Sequence, residues 1–309
     1  MIATSSGRGR YGNVFEALKQ LNPKIRGKTL LKPNLVASGL AATQGEAVKA
    51  VLDSLSIDVI AEGSSVDTTQ LYRSLGYTKL AREYGVELVD LNESEEWEEI
   101  DFLSIHGETV KVRVSRYARR YSVVSLTLPK THDHAILTLS IKNMVGFLHP
   151  GDRSWVHGYK ATLSRLMEVK PLRVLGSHLS RLKPLRRYLT VTDVEEERYV
   201  KGARVIHKNI ATLAGHVKPE LGVVDGFLGM QGRGPIAGEP LPWNIAIAGP
   251  PLECDVYCAS KMGFDPAEVG YLHYLRAPAL EEIEVIGDIP GKRFLPHPKI
   301  ELQMRWRCK

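Results

Sequence analysis

From Lys28 to Asp90 the chain alternates short apolar runs with amphipathic segments. Thr29–Leu31, Asp58–Ala61 and Val86–Val89 have strand length, whereas Gln44–Leu55, Thr69–Leu75 and Lys79–Tyr84 space their apolar residues as helices do. Strands and helices in alternation predict a parallel sheet with helices on its faces. In such sheets ligands collect at the carboxyl ends of the strands. Further along, Ser122–Leu128, Leu221–Val224, Trp243–Ala248 and Glu282–Ile286 read as strands, and Tyr159–Val169, Arg204–Val217 and Leu252–Met262 as helices.

The acidic run Glu93–Glu99 around Trp97 reads as a solvated loop or short helix, and Asp101–Val114 alternates as a hairpin turning at His106-Gly107 would. The fold class expected is α/β: a mixed, largely parallel sheet with helices on both faces and inserted segments. One domain spans 1–309, with a lid or insertion at about 91–120 and at about 171–200. The basic, Leu-rich stretch after Pro171 is read as a lid or as a contact in a homo-oligomer.

Composition adds little to that frame. The 309 residues are 43% hydrophobic and 25% charged, ordinary for a folded chain, and 41 Lys and Arg against 35 Asp and Glu leave a formal charge of +6. The basic clusters, Arg113–Arg120 and Arg173–Arg187, carry neither a helix-turn-helix nor an aromatic stacking pattern, so a nucleic-acid partner is not expected. Three cysteines, Cys254, Cys258 and Cys308, form no disulfide framework. The first residues lack the apolar core of a secretion signal, and no apolar run reaches the roughly 18 residues of a membrane span, so a cytoplasmic protein is expected. Gly7, Gly9 and Gly12 spell G-x-G-x-x-G but follow only Met1–Ala3, and the next strand ends in Lys32-Pro33-Asn34 rather than an acidic residue. The dinucleotide reading therefore fails.

Chemistry concentrates at the predicted strand ends. Lys32 and Asn34 close the first strand, Glu62, Gly63 and Ser64 the second, and Asp225-Gly226 a later one. Their bland alternative is turn and capping chemistry. Pro129 stops the strand Ser122–Leu128, and Lys130, Thr131, His132, Asp133 and His134 follow at once, with Lys142 and Asn143 a few residues on. Lysine offers a charge for carboxylate or phosphate, or a base if burial lowers its pKa, and histidine moves protons near neutrality or ligates a metal. If Ala135–Val145 is helical, Thr138 and Lys142 share a face; Lys142 and Asn143 would then cap it, with Gly146 as the stop. The run FLGMQGRGPIAG after Asp225 is dense in glycine and suited to close backbone approach.

At these positions the chain resembles the family called domain of unknown function 362. The matching pieces are KPNLV at Lys32–Val36, EGS at Glu62–Ser64, LGY at Leu75–Tyr77, VDLN at Val89–Asn92, PKTH at Pro129–His132 and KNMVG at Lys142–Gly146. VVDGFLGMQGRGP at Val223–Pro235, AGPPLECD ending in Asp255, and MGFDP from Met262 complete them. The resemblance assigns no activity. It implies a redox or anaerobic context, since some relatives look like fusions to ferredoxin modules, but three cysteines cannot hold a four-cysteine cluster within this chain. Where the family often shows Asp-Pro-Val before the aspartate of the last helix, this chain has Pro250-Pro251-Leu252 before Asp255.

The function expected is binding, with or without conversion, of a small anionic, phosphate- or carboxylate-bearing molecule in a strand-end cleft. Lys130, His132 and Lys142 are the catalytic candidates, His132 as acid/base with Glu62 or Asp225 as its partner. Lys32, Asn34, Glu62, Ser64, Thr131, Asn143, Gly232 and Gly234 are the ligand-binding candidates, the Gly229–Gly234 segment closing over the molecule. A divalent metal on Asp225 and His132 is a variant of this reading. The competing function is a non-catalytic accessory or carrier protein linked to redox or iron-sulfur metabolism, with Cys254 and Cys258 as its motif.

Overall fold

A computed structural model describes residues 1–160 and 196–307. The helix expected from Tyr159, and the basic segment up to residue 195, lie outside the described residues apart from Tyr159 and Lys160. The strands are β1 (Ile2–Ser6), β2 (Thr29–Lys32), β3 (Val59–Glu62), β4 (Glu87–Asp90), β5 (Trp97–Leu103), β6 (Thr109–Ser115), β7 (Ser122–Thr127), β8 (Lys130–His132), β9 (Ile136–Thr138), β10 (Pro219–Gln231), β11 (Glu239–Gly249) and β12 (Val285–Ile286). The helices are α1 (Gly9–Leu21), α2 (Gly45–Ser54), α3 (Thr68–Ser74), α4 (Tyr77–Tyr84), α5 (Tyr117–Arg120), α6 (Glu196–His216), α7 (Pro251–Lys261), α8 (Gly270–Tyr274) and α9 (Ile300–Met304).

The large sheet runs β12-β1-β11-β10-β7-β2-β3-β4. From β10 to β4 every neighbour is parallel, while β11 lies antiparallel between β10 and β1. The sheet is thus mixed and largely parallel, as the alternation of elements predicts. Side chains of successive strand residues leave opposite faces, so Leu31, Ile60, Val124 and Val223 join α1 and α2 in one core, while Leu30, Val59, Val123 and Val224 join α6 and α7 in the other. No described helix is long and apolar enough to cross a membrane.

Three expectations change. Trp97, read as part of a loop, begins β5, and β5 with β6 forms a separate antiparallel ribbon pairing Trp97 with Ser115 through Leu103 with Thr109. Asn209 of α6 holds this ribbon, accepting from Leu103 N–H at 2.8 Å and donating to its carbonyl at 3.0 Å. The glycine-rich stretch after Asp225 is strand as far as Gln231, because β10 and β11 form one long antiparallel pair. Finally, Ala135–Val145 is no helix. After Pro129 breaks β7, β8 pairs with the end of β10 (Lys130 with Met230) and folds back on β9 (Lys130 with Thr138, His132 with Ile136); a 3-10 turn follows at Lys142–Phe147. Hence Thr138 and Lys142 share no helical face.

Candidate functional site

Polar side chains converge where β2, β3 and β7 end, and most are buried. Lys32 Nζ donates to Glu62 Oε1 at 2.6 Å and to the Pro33 carbonyl at 3.0 Å. Glu62 is filled further, Oε1 accepting from Gly63 N–H at 2.8 Å and Oε2 from Leu35 N–H at 2.9 Å. Burial lowers the Lys32 pKa, and the Glu62 carboxylate opposes it. The pair is closed by the 3-10 turn: a Cβ on Gly146 would stand 2.4 Å from Glu62 Oε1 and 2.6 Å from Lys32 Nζ, and one on Gly63 would stand 2.2 Å from the Gly146 carbonyl. Glycine is required at both positions because backbone and ion pair touch there.

A second chain of bonds reaches Lys130, which is 0% exposed. Its Nζ donates to Asn34 Oδ1 at 2.6 Å and to the Ala41 carbonyl at 3.2 Å. Asn34 Nδ2 donates to Asn143 Oδ1 at 2.8 Å, and Asn143 Nδ2 to the Lys32 carbonyl and Ser125 Oγ at 3.0 and 3.1 Å. Burial first, and then the nearby charge of Lys142, lower the Lys130 pKa to about 7. Two neutral acceptors match the two hydrogens of an uncharged amine and leave its lone pair free. Lys130 is therefore the group of this cluster suited to take a proton near neutrality.

Lys142 differs from both. It is 8% exposed, burial lowers its pKa to about 8 against the opposing pull of Asp133, and its Nζ has no hydrogen-bond acceptor among the described residues. Its position follows from the turn before it: Asp255 on α7 accepts from Ser140 N–H at 2.8 Å and Ile141 N–H at 3.0 Å. Pro251 starts α7, and Asp255 reaches the turn despite the unusual Pro-Pro-Leu before it. Burial raises Asp255 to about 7, opposed by those backbone bonds.

His132 does not have the environment of a neutral-pH acid/base. Its Nδ1 accepts from the backbone N–H of His134 and Ala135, both at 3.1 Å, and burial and Lys142 lower its pKa to about 3. Asp133 Oδ1 also approaches Nδ1 to 2.9 Å, which by itself would favour imidazolium. The two N–H donors and the burial outweigh it, so Nδ1 keeps its lone pair and the ring stays neutral. Neither expected carboxylate partners it. Glu62 serves Lys32, and Asp225 accepts from Arg10 Nε at 2.9 Å and from Phe227 N–H at 3.1 Å, with burial raising its pKa to about 6 against the Arg10 charge. Among the described residues no group of three or more His, Cys, Asp or Glu side chains could hold a metal ion, so the pairing of Asp225 with His132 finds no support in the geometry.

The remaining candidates serve the frame. Ser64 Oγ donates to the Leu35 carbonyl and accepts from Val66 N–H. Thr131 Oγ1 donates to the Gly232 carbonyl at 3.0 Å, and a Cβ on Gly234 would come within 2.0 Å of the Thr131 carbonyl. Gly229, expected over a ligand, is instead packed on Phe294, 2.3 Å from where its Cβ would be. Cys254 and Cys258 are buried in α7 with thiol pKa values pushed up by burial, the opposite of a reactive pair.

Several participants escape sequence reasoning. Beside His132, the rings of His134 and His157 lie 4.9 Å apart, those of His134 and Tyr199 4.4 Å, and those of His157 and Tyr159 6.1 Å. His134 Nε2, His157 Nδ1, Tyr159 Oη and Gln303 Oε1 are buried and have no hydrogen-bond partner among the described residues. Each such group costs about 1–3 kcal/mol when left dry, so four together are a large charge on a fold worth about 5–15 kcal/mol. His157 and Tyr159 stand in a glycine-bearing loop, and Tyr199 and Gln303 come from distant elements that carry no local signal.

A family model described as a domain of unknown function (DUF362) matches residues 29–260. No curated protein matches the sequence. Among solved structures, a structural-genomics protein from Thermotoga maritima is 12% identical with a TM-score of 0.39; the alignment covers 76% of this chain and 55% of that one, so this chain spans about half its length. The family match runs from the first residue of β2 into the last turn of α7 and takes in every strand end of the lysine cluster: this chain belongs to the DUF362 family.

Proposed function

We propose that the protein binds a small anion, bearing a phosphate or carboxylate group, at the ends of β2, β3 and β7, with Lys142 as its direct ligand and Lys130 behind it. One observation carries this reading: Lys142, 8% exposed, has no hydrogen-bond acceptor for its ammonium among the described residues, whereas Lys32 and Lys130 both have one. Lone buried amines are costly, and an anion supplies the missing partner. Lys32 is already neutralised by Glu62, so it supports the electrostatics and the frame without adding net charge. If the bound molecule is converted, the neutral amine of Lys130 is the base, and His132 acts by shape and by its neutral ring.

The test is the thermal unfolding of the purified chain with phosphate, sulfate and dicarboxylates, against chloride at matched ionic strength. A rise in melting temperature that saturates with anion and vanishes in Lys142→Met supports the reading. An equal rise in both proteins, or none in either, refutes it.

A further inference from the structure

We infer that the loop from Val36 to Ala41 is a lid over Lys130, latched by the side chain of Gln44, and that its opening admits a ligand to the Lys130 amine. The inference rests on the anion-binding reading above, in which Lys130 lies behind the bound group, and adds the gate of that site.

A base must be reached by the group it deprotonates, and Lys130 is 0% exposed. Some part of its cover must therefore move. Of the two acceptors on its Nζ, Asn34 Oδ1 is fixed, because the Asn34 side chain also bonds Asn143 and its backbone N–H donates to Thr43 Oγ1 at 3.0 Å. The other is the Ala41 carbonyl, in a short 3-10 turn at Gly39–Ala41. Ala41 is buried, whereas Ser38 and Gly39 are exposed, so the loop has the amine on one side and solvent on the other.

The base of the loop and its tip are held differently. At the base, Leu35 N–H donates to Glu62 Oε2 and the Leu35 carbonyl accepts from Ser64 Oγ, while Thr43 N–H donates to the Asn34 carbonyl and Tyr77 Oη to the Thr43 carbonyl, both at 2.9 Å. Leu35 and Ala42 face each other as an antiparallel bridge, so the two ends of the loop are clamped side by side, as a hinge requires. At the tip, Ala42 N–H closes the turn on the Gly39 carbonyl at 3.1 Å. Two side chains hold that turn down: Gln44 Nε2 donates to the Gly39 and Ala42 carbonyls at 3.2 and 2.9 Å, and Lys130 Nζ donates to the Ala41 carbonyl at 3.2 Å. Gln44 is the residue before α2, and its carbonyl accepts from Ala47 and Val48 whatever its side chain does. A segment fastened by so few bonds opens locally, at a cost well below that of global unfolding. With the lid open, water and ligand reach the amine; with it closed, the amine is kept dry and neutral.

Two readouts made without any ligand test this in the natural chain and in Gln44→Ala: amide hydrogen exchange, and acetylation of lysines by acetic anhydride mapped by mass spectrometry. In the natural chain the Ala42 amide should exchange well before the Leu35 amide. Loss of the two latch bonds should raise the exchange rate of Ala42 and the acetylation rate of Lys130 about tenfold, as one or two net hydrogen bonds provide. The Leu35 amide and Lys32, both tied to Glu62, should keep their natural rates. Unchanged rates at Ala42 and Lys130 in the variant, or an equal rise at Leu35 and Lys32, would overturn the inference. If the variant fails to fold, the natural chain decides, and exchange of Ala42 no faster than Leu35 would overturn it. Because no anion is present in either readout, failure of the lid and failure of the anion site would be seen separately.

Discussion

Replacing Lys142 with Met separates a binding lysine from a structural one. Met keeps the length and most of the apolar volume of the stem and removes only the ammonium. Burial lowers this amine from its ordinary 10.5 to about 8, so below pH 8 the folded chain must hold a charge that the unfolded chain holds more easily. That difference corresponds to about 3 kcal/mol, present in full below pH 8 and lost as pH rises from 8 to 10.5. The sign follows from the depressed pKa of a base: the folded state binds fewer protons, and raising the pH stabilises it. Urea unfolding at pH 7 should therefore find Lys142→Met more stable than the natural chain by about 3 kcal/mol, and at pH 10 by less than about 1 kcal/mol. Anion-dependent stabilisation should be absent from the variant at both. A loss of 2 kcal/mol or more at pH 7, or a gain that does not shrink with pH, would show that Lys142 is held by interactions in the fold and would refute the reasoning.

Other substitutions test the frame. Glu62→Ala leaves the Lys32 ammonium buried and unpaired and should cost about 3–5 kcal/mol in urea unfolding; a cost under about 1 kcal/mol would mean that the pair is solvated. Asn34→Leu strips Lys130 of its shorter hydrogen bond and Asn143 Oδ1 of its donor, for an expected loss of about 2–5 kcal/mol, and an unchanged midpoint would count against the network. Gly146→Ala places a methyl 2.4 Å from Glu62 Oε1 and should lower stability by about 1–3 kcal/mol or more, whereas a neutral result would mean that the turn moves freely. Asp255 is an acid with a raised pKa, so its contribution to stability falls as pH rises from about 4 to 7. In Asp255→Asn that part of the pH profile should flatten, and the anion-induced rise in melting temperature should shrink because the turn before Lys142 loses an acceptor.

The parallel half of the sheet was legible because its strands are short, apolar and separated by helices of clear periodicity. β2, β3, β4 and β7 each lie within a residue or two of the positions their apolar runs predict. What failed to read was pairing over distance. Leu221–Val224 looks like a four-residue strand, yet β10 continues to Gln231 because β11 follows it antiparallel past the last buried parallel neighbour. Glycine in a strand weakens any local signal, and Gly226 and Gly229 are there to admit Ile245 and Phe294, contacts that no local window contains. The same holds for Ala135–Val145, whose apolar residues fit a helix by spacing but are divided between β9 and a 3-10 turn by pairing with β8.

The site shows where local reading ends and geometry begins. That Lys32, Asn34, Glu62 and Lys130 gather follows from strand ends in one parallel sheet, a rule the sequence can invoke, whereas Asn143 and Lys142 come in on the 3-10 turn after β9. Their roles do not follow, because a role depends on which atoms remain unpaired once the network closes. Histidine suggests proton transfer by its ordinary pKa, but two backbone N–H groups occupy His132 Nδ1 and burial keeps the ring neutral far below pH 7. Lysine suggests a fixed charge, but burial brings Lys130 to about 7 and matches its two hydrogens to two neutral acceptors. The two residue types thus exchange functions inside the fold: the amine becomes the group that titrates near neutrality and the imidazole becomes a neutral wall. Lys142 keeps its charge near neutrality because Asp133 offsets part of what burial takes from it, and that one amine, placed by the turn that Asp255 holds, is the group on which the proposed anion site depends.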